Sequence, residues 1–186
     1  MAGTARSHHV RPLIEAAAIE RRVTELAAEI NRDYAGSEGL VAIGVLKGAV
    51  IFFADLVRRL SIPVTLDFFQ TSSYGAGTTA GEIRIKRDID LSVRGRHVLL
   101  VEDIVDTGWT VRTILKLFRF RGAASVKLCA LLDKHEAREA EVPIDYCGFK
   151  IGREFVVGYG LDFGERHRNL PYVGIVHFDG SQESER

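Results

Sequence analysis

Three carboxylates lie close together in one short segment of the chain. The segment VLLVEDIVDTGWT, residues 98–110, places Glu102, Asp103 and Asp106 directly after a run of apolar residues. Such a run predicts a buried strand, and the Thr-Gly that follows predicts a turn into a helix starting near Trp109 and Thr110. In open parallel sheets, ligands bind beyond the carboxyl ends of the strands. These acids are therefore predicted to lie at a binding site.

The turn after the acids has the features of a phosphate site. Free backbone N–H groups at a helix N-terminus bind anions, the hydroxyls of Thr107 and Thr110 add donors, and Gly108 allows a sharp turn. The carboxylates would repel a bare phosphate, but they suit sugar hydroxyls or a metal ion. Together these groups predict a site for ribose 5-phosphate. The alternative is a surface acidic turn before a Thr-capped helix, because Asp and Thr are ordinary residues at helix starts.

The elements that must position this turn alternate between strands and helices. Buried strands alternating with helices predict an α/β fold with a mainly parallel sheet flanked by helices. The glycine-bearing segment 71–81 is predicted to be a flexible lid. Helices are predicted over residues 12–36, 49–60 and 110–122, and strands over residues 40–46, 64–70, 82–88, 97–103, 125–133, 142–149 and 172–178.

Length and composition bound the class of protein. The 186 residues suit a single domain, with residues 1–12 and 179–186 expected to fray. The 25 basic and 25 acidic residues give a net charge of +0, which argues against broad binding to nucleic acid or anionic membranes. No apolar run approaches the ~20 residues of a membrane helix, so a soluble cytoplasmic protein is expected. Cys129 lies in an apolar run and is predicted to be a buried reduced thiol.

Several segments, in order, carry a resemblance to a known family. VLLVEDIVDTGWT resembles the phosphoribosyl-diphosphate (PRPP) signature of type I phosphoribosyltransferases. GVLKGAVIFFADL, TSSYG, LLDKHEAR and EFVVGYGLDFGERHRNLPYVG resemble segments of hypoxanthine-guanine phosphoribosyltransferases, and the matches extend from about residue 40 to residue 176. The resemblance implies the type I phosphoribosyltransferase fold, with a small hood built from the chain termini and a flexible loop.

The resemblance also implies an activity. Members of this family transfer the 5-phosphoribosyl group from PRPP to hypoxanthine and/or guanine, giving IMP or GMP and diphosphate, in purine salvage. It further implies a Mg²⁺ cofactor and a homodimer or homotetramer.

The resemblance assigns the acidic segment to PRPP and catalysis. Glu102 and Asp103 match the acids that engage the ribose hydroxyls, and Asp106 matches the general base near purine N7. The 5-phosphate loop is implied to be Thr107, Gly108, Trp109 and Thr110. Trp109 departs from the aliphatic residue or Lys expected there, although backbone amides should make the main contacts.

Further segments are implied to hold the diphosphate and the purine. Lys47, Gly48 and Arg168 match diphosphate-binding residues, and in the family the peptide bond corresponding to Leu46–Lys47 is often cis. Ser73 and Tyr74 match the mobile loop that closes over PRPP. The purine is implied to contact Lys134, Phe155, Val156 and Asp162, and the metal to contact Glu102, Asp103 and Asp162.

Other interpretations of the chain compete with the enzyme. Each implied residue also has an ordinary structural role open to it, such as a solvated lysine at Lys134 or core packing at Phe155. A regulator that kept the PRPP pocket would have little need of the purine-binding residues. A Rossmann-type dinucleotide enzyme is disfavoured, because no G-x-G-x-x-G follows a strand and opens a helix.

Overall fold

A computed structural model describes residues 7–73 and 83–178. The described residues form two sheets and three α-helices. The helices are α1 (Ala16–Asp33), α2 (Val50–Val57) and α3 (Trp109–Phe120). The strands are β1 (His8–Ile14), β2 (Leu40–Leu46), β3 (Val64–Ser73), β4 (Ile83–Arg87), β5 (His97–Val105), β6 (Ser125–Asp133), β7 (Tyr146–Lys150), β8 (Val156–Val157) and β9 (Val173–Phe178).

The larger sheet is mainly parallel, as predicted. Its strand order is β4-β3-β2-β5-β6-β7, and only the β3–β4 pair is antiparallel. Alternate residues of β5 enter different cores: Leu99 and Val101 pack with α1 and α2, whereas Val98 and Leu100 pack with α3. Because both faces are covered, β2 is apolar throughout, and β5 and β6 each contain an apolar run. Each fully buried Leu or Val contributes about 1.5–3 kcal/mol to this arrangement.

A topological switch point lies between β2 and β5. These two strands are neighbours, yet the chain continues from β2 to β3 on one side and from β5 to β6 on the other. The connections that leave their carboxyl ends therefore diverge and open a crevice, which is where open α/β sheets bind ligands. The turn after β2 and the acidic turn after β5 both border this crevice.

A smaller antiparallel sheet, here called the hood, consists of β1, β9 and β8 in that order. Two predictions were wrong here. Residues 8–12, expected to fray, pair with β9, and the helix expected from Pro12 begins only at Ala16. Pro12 is tolerated because β1 is an edge strand, where a missing N–H removes no bond to a second neighbour.

The other differences are the two-residue strand β8, which was not predicted, a short 3-10 helix at His135–Ala137, and shifts at the ends of elements. The strand predicted over residues 64–70 continues to Ser73, which pairs with Ile83. Tyr74 and most of the predicted lid, like residues 179–186, lie outside the described residues. Cys129 is buried and free, as predicted. Within the described ranges, each helix is too short or too polar to cross a membrane.

Candidate active site

A cavity of about 320 Å³ opens at the carboxyl edge of the larger sheet. It draws its walls from the turns after β2, β5 and β6 and from the chain around the hood. Ile104 and Leu161 complete the lining and were not predicted. The predicted site residues that line it are Lys47, Gly48, Asp103, Asp106, Lys134, Phe155, Val156, Asp162 and Arg168.

The turn after β2 lies unusually close to β5. A Cβ placed on Gly48 would lie 1.6 Å from Asp103 Oδ2, so no other residue fits without a shift. On the other side, a Cβ on Gly160 would lie 1.9 Å from the Gly48 carbonyl oxygen. The Leu46–Lys47 peptide is cis, as the resemblance implied. Glycine at both positions therefore lets three stretches of chain meet in contact at the cavity.

The two adjacent acids of β5 have different surroundings. Glu102 is buried, its Oε2 has no hydrogen-bond partner among the described residues, and burial together with the charge of Asp103 raises its pKa well above the usual range. Asp103 lines the cavity instead. Burial raises the pKa of Asp103 to about 6, against the opposing effect of the hydrogen bond from the Ile104 N–H. Both carboxylates would gain from a nearby cation or hydroxyl donor.

A buried lysine and an exposed carboxylate meet at the next pair of turns. Lys134 follows β6 directly, is 8% exposed, and its N–H donates to the Val105 carbonyl at 3.0 Å. Its Nζ lies 3.6 Å from Asp106 Oδ2, whose side chain is 54% exposed. The cavity thus offers a cationic donor next to a carboxylate acceptor, a pair that suits a heterocycle with both a carbonyl oxygen and a ring N–H.

The hood contributes an apolar wall to the cavity. Phe155 is 49% exposed and packs edge-to-face on Phe163, with 5.7 Å between the ring centroids. Val156 is buried in β8 and pairs with Ile175 of β9. A large aromatic face left exposed beside polar groups suits stacking on a planar ligand.

The segment between β8 and β9 contributes charged groups to the cavity wall. Arg168 Nη2 lies 2.6 Å from Asp162 Oδ1, and its Nη1 donates to the Gly160 carbonyl at 2.8 Å. Glu165, which sequence reasoning missed, contacts both cations: its Oε2 lies 3.0 Å from Lys47 Nζ and 3.4 Å from Arg168 Nη2. The one available sequence signal was the spacing of three residues between Asp162, Glu165 and Arg168.

The predicted phosphate loop borders the cavity without being part of its described lining. Gly108 precedes α3 with φ of +89°, and a Cβ there would lie 2.6 Å from the Ala140 carbonyl oxygen. The Thr107 carbonyl accepts hydrogen bonds from the N–H groups of Glu139 and Ala140 at 3.0 and 2.9 Å. These contacts bind the loop after β5 to the loop after β6.

Trp109 has a defined role in that junction. Its indole Nε1 donates to Glu139 Oε2 at 3.0 Å, and the guanidinium of Arg112 lies 5.3 Å from the ring centroid. A second link missed from sequence is the ion pair of Arg138 with the buried Asp133, next to Lys134. The turn after β5 and the turn after β6 are therefore packed as one unit.

The cavity carries carboxylates that could share a divalent cation. Within residues 7–73 and 83–178, no group of three His, Cys, Asp or Glu side chains forms a metal cage. Magnesium typically uses one or two protein carboxylates and takes its other ligands from phosphate and water. Asp103 and Asp162 both line the cavity, and the charge of Asp162 contributes to the raised pKa of Asp103. This pair fits such an ion, and Glu102 is not in the described lining.

Comparison with known proteins identifies the family of the chain. The phosphoribosyl transferase domain family matches residues 12–164, so the fold and the site define a phosphoribosyltransferase domain. The hypoxanthine phosphoribosyltransferase of Haemophilus influenzae is 46% identical over 174 residues, covering 92% of this chain and 97% of that protein. The hypoxanthine-guanine phosphoribosyltransferase of Bacillus subtilis is 47% identical over 165 residues, covering 88% and 91%.

A solved structure gives the same picture. The hypoxanthine-guanine phosphoribosyltransferase of Bacillus anthracis, with a HEPES molecule in its active site, superposes with a TM-score of 0.87 at 41% identity. The match covers 90% of this chain and 99% of that one. The chain belongs to the hypoxanthine-guanine phosphoribosyltransferase family.

Proposed function

We propose that the protein transfers the 5-phosphoribosyl group of PRPP to hypoxanthine and/or guanine in purine salvage, producing IMP or GMP and diphosphate. The observation that carries this proposal is the Lys134–Asp106 pair, which shares one cavity with Lys47, Gly48 and Arg168. The pair supplies the donor and acceptor for an oxopurine, and the other three residues supply groups for a diphosphate. The names of the relatives support the same reaction.

Purine choice follows from the buried lysine. The ammonium of Lys134 donates to the 6-oxo oxygen of hypoxanthine or guanine, while Phe155 stacks on the ring and the backbone of Val156 borders its edge. Adenine presents a 6-amino donor instead, which would leave two donors facing each other. Because Lys134 is only 8% exposed, water cannot easily relieve that mismatch.

Bond making and breaking occur at the sugar carbon. Purine N9 attacks carbon 1 of PRPP, the bond from that carbon to the diphosphate oxygen breaks, and its electron pair leaves with diphosphate. Asp106 accepts the proton that the base loses at N7. Its carboxylate also offsets positive charge on an oxocarbenium-like transition state. Lys47, Gly48 and Arg168 bind the diphosphate.

The acidic segment holds the rest of PRPP. Glu102 and Asp103 accept hydrogen bonds from the ribose hydroxyls, and the loop Thr107, Gly108, Trp109 and Thr110 binds the 5-phosphate through its amides. Magnesium would be held by Asp103 and Asp162, which line the cavity, and by Glu102, and it would supply positive charge to the diphosphate oxygens. Closure of Ser73 and Tyr74 over PRPP, assembly into a dimer or tetramer, and a cytoplasmic location stay predictions.

Product analysis tests this function. The purified protein is mixed with PRPP, magnesium and one of hypoxanthine, guanine, xanthine or adenine, and nucleotides are separated by chromatography and identified by mass. We expect IMP, GMP or both, and no AMP. A protein that binds PRPP in calorimetry but forms no nucleotide from any base would instead be a PRPP-binding regulator.

A further inference from the structure

Glu165 places an anion where the proposed reaction needs two free cations. Its carboxylate Oε2 lies 3.0 Å from Lys47 Nζ and 3.4 Å from Arg168 Nη2. Lys47 lies in the turn after β2, whereas Glu165 and Arg168 lie far along the chain between β8 and β9. The contact therefore joins two cavity-lining residues from distant parts of the chain, and one carboxylate contacts both cations proposed for diphosphate.

We propose that Glu165 is a built-in competitor of the diphosphate group. This inference rests on the proposed function. A diphosphate that contacts Lys47 and Arg168 must displace the Glu165 carboxylate. When diphosphate leaves, the carboxylate contacts the two cations again. Glu165 thereby lowers the affinity for PRPP and diphosphate and favours release of diphosphate after the reaction.

Arg168 is positioned without Glu165. Arg168 keeps its contacts with Asp162 Oδ1 at 2.6 Å and with the Gly160 carbonyl at 2.8 Å. The turn that carries Lys47 lies close against β5, because a Cβ on Gly48 would lie 1.6 Å from Asp103 Oδ2. Loss of the Glu165 carboxylate should therefore remove the anion that Lys47 and Arg168 share while Arg168 keeps its other contacts.

Glu165 can also leave the two cations at little cost. Its side chain is 66% exposed, and its backbone is held separately by a hydrogen bond from its N–H to Asp162 Oδ2 at 2.8 Å. Exposed ion pairs are worth little because water screens them. Lys47 lowers the pKa of Glu165, so the carboxylate is ionised at neutral pH and competes as an anion.

The test measures binding rather than turnover. Wild type, Glu165→Gln and Glu165→Ala are titrated with PRPP and with inorganic diphosphate by calorimetry in excess magnesium. Both variants should bind both ligands about two- to fivefold more tightly, the range for loss of exposed ion pairs. Glu154→Gln is the control, because it removes the same charge from an exposed residue next to Phe155 but not from the Lys47–Arg168 cluster.

A double-mutant cycle separates direct competition from a general charge effect. In a Lys47→Ala background, most of the gain from Glu165→Gln should disappear, because the principal contact is already absent. Unchanged or weaker diphosphate binding in both Glu165 variants would overturn the competitor. So would an equal gain in the Glu154 control. If Glu165→Gln strengthens diphosphate binding but no variant forms nucleotide, the competitor stands and the proposed transferase function fails.

Discussion

Replacing Lys134 tests the purine half of the site most directly. Lys134 is 8% exposed and follows β6, whereas the loop proposed to bind the 5-phosphate follows β5. Lys134→Ala removes a charged hydrogen-bond donor from a largely dry position. This costs about 2–3 kcal/mol when the 6-oxo oxygen of the purine is left unpaired. At about 1.4 kcal/mol per factor of ten, kcat/KM for hypoxanthine should fall roughly 30- to 150-fold.

The same substitution should leave the sugar-phosphate site nearly intact. PRPP affinity should barely change, because the cations proposed for its diphosphate are on other segments. Selectivity against adenine should shrink, since the donor that opposes its 6-amino group is gone. Lys134→Gln sharpens this point, because an amide can donate or accept and so tolerates either base.

Steady-state kinetics with hypoxanthine and adenine, together with calorimetric titration of PRPP, decide the matter. Lys116→Ala is the matched control, since Lys116 is exposed on α3. If Lys134→Ala loses PRPP binding and hypoxanthine turnover in equal measure, the lysine belongs to the sugar-phosphate site or to folding. The assignment to the purine would then be wrong.

Three further predictions concern the carboxylates. Asp106→Asn should lower kcat about 10²–10⁴-fold with PRPP binding largely kept, and near-normal turnover would remove Asp106 from the mechanism. Excess chelator should abolish nucleotide formation and Asp162→Asn should raise the magnesium concentration required; full activity in chelator would contradict the metal. Burial raises the pKa of Asp103 from 3.8 to about 6. Between these two pH values the folded state binds more protons than the unfolded state, so the wild type loses stability as the pH rises through that window. Asp103→Asn should therefore stabilise the fold more at pH 7.5 than at pH 4, and each tenfold difference in proton affinity between the folded and unfolded states is worth about 1.4 kcal/mol. An equal rise in Tm at both pH values in scanning calorimetry would refute this.

The central sheet could be predicted because its signal is local. The segment that forms β2 is apolar throughout, and those that form β5 and β6 each contain an apolar run. Helix α3 carries Val111, Ile114 and Phe118 at helical spacing with Gly122 after its end. Each pattern is contained within about a dozen residues. The placement of the acids at a strand end therefore followed from sequence alone.

The hood could not be predicted in this way. The pairing of β1 with β9 joins residues from distant parts of the chain, such as His8 and Phe178. The remaining hood strand, β8, has only two residues. Pro12, a residue typical of a helix start, is instead an edge-strand residue whose pairing depends on a distant partner. The sequence of β1, HHVRPLI, has no sustained alternation of apolar and polar residues that would have marked it as a strand.

The same limit applies within the site. Lys134 and Asp106 each follow a predictable strand, and the parallel pairing of β5 with β6 brings them together. Glu165 contacts Lys47 across 118 residues of sequence, and no local pattern encodes that meeting. Family resemblance supplied roles for residues on either side of it, but the ion pairs are visible only in three dimensions.

The order of strands in the hood has a consequence for how the chain is assembled. β9 is the middle strand, so β1 and β8 depend on it for every hood hydrogen bond between strands, although β1 is made first and β9 last. On a ribosome, the six strands of the larger sheet, residues 40–150, are complete while the hood still lacks its centre. The turns proposed to bind sugar and phosphate can thus be in place before the segment that carries Phe155 is secured. A circular permutant, in which a short linker joins Phe178 to His8 and the chain is opened elsewhere, would change the order in which these strands are synthesised. It would keep the contacts within the sheet.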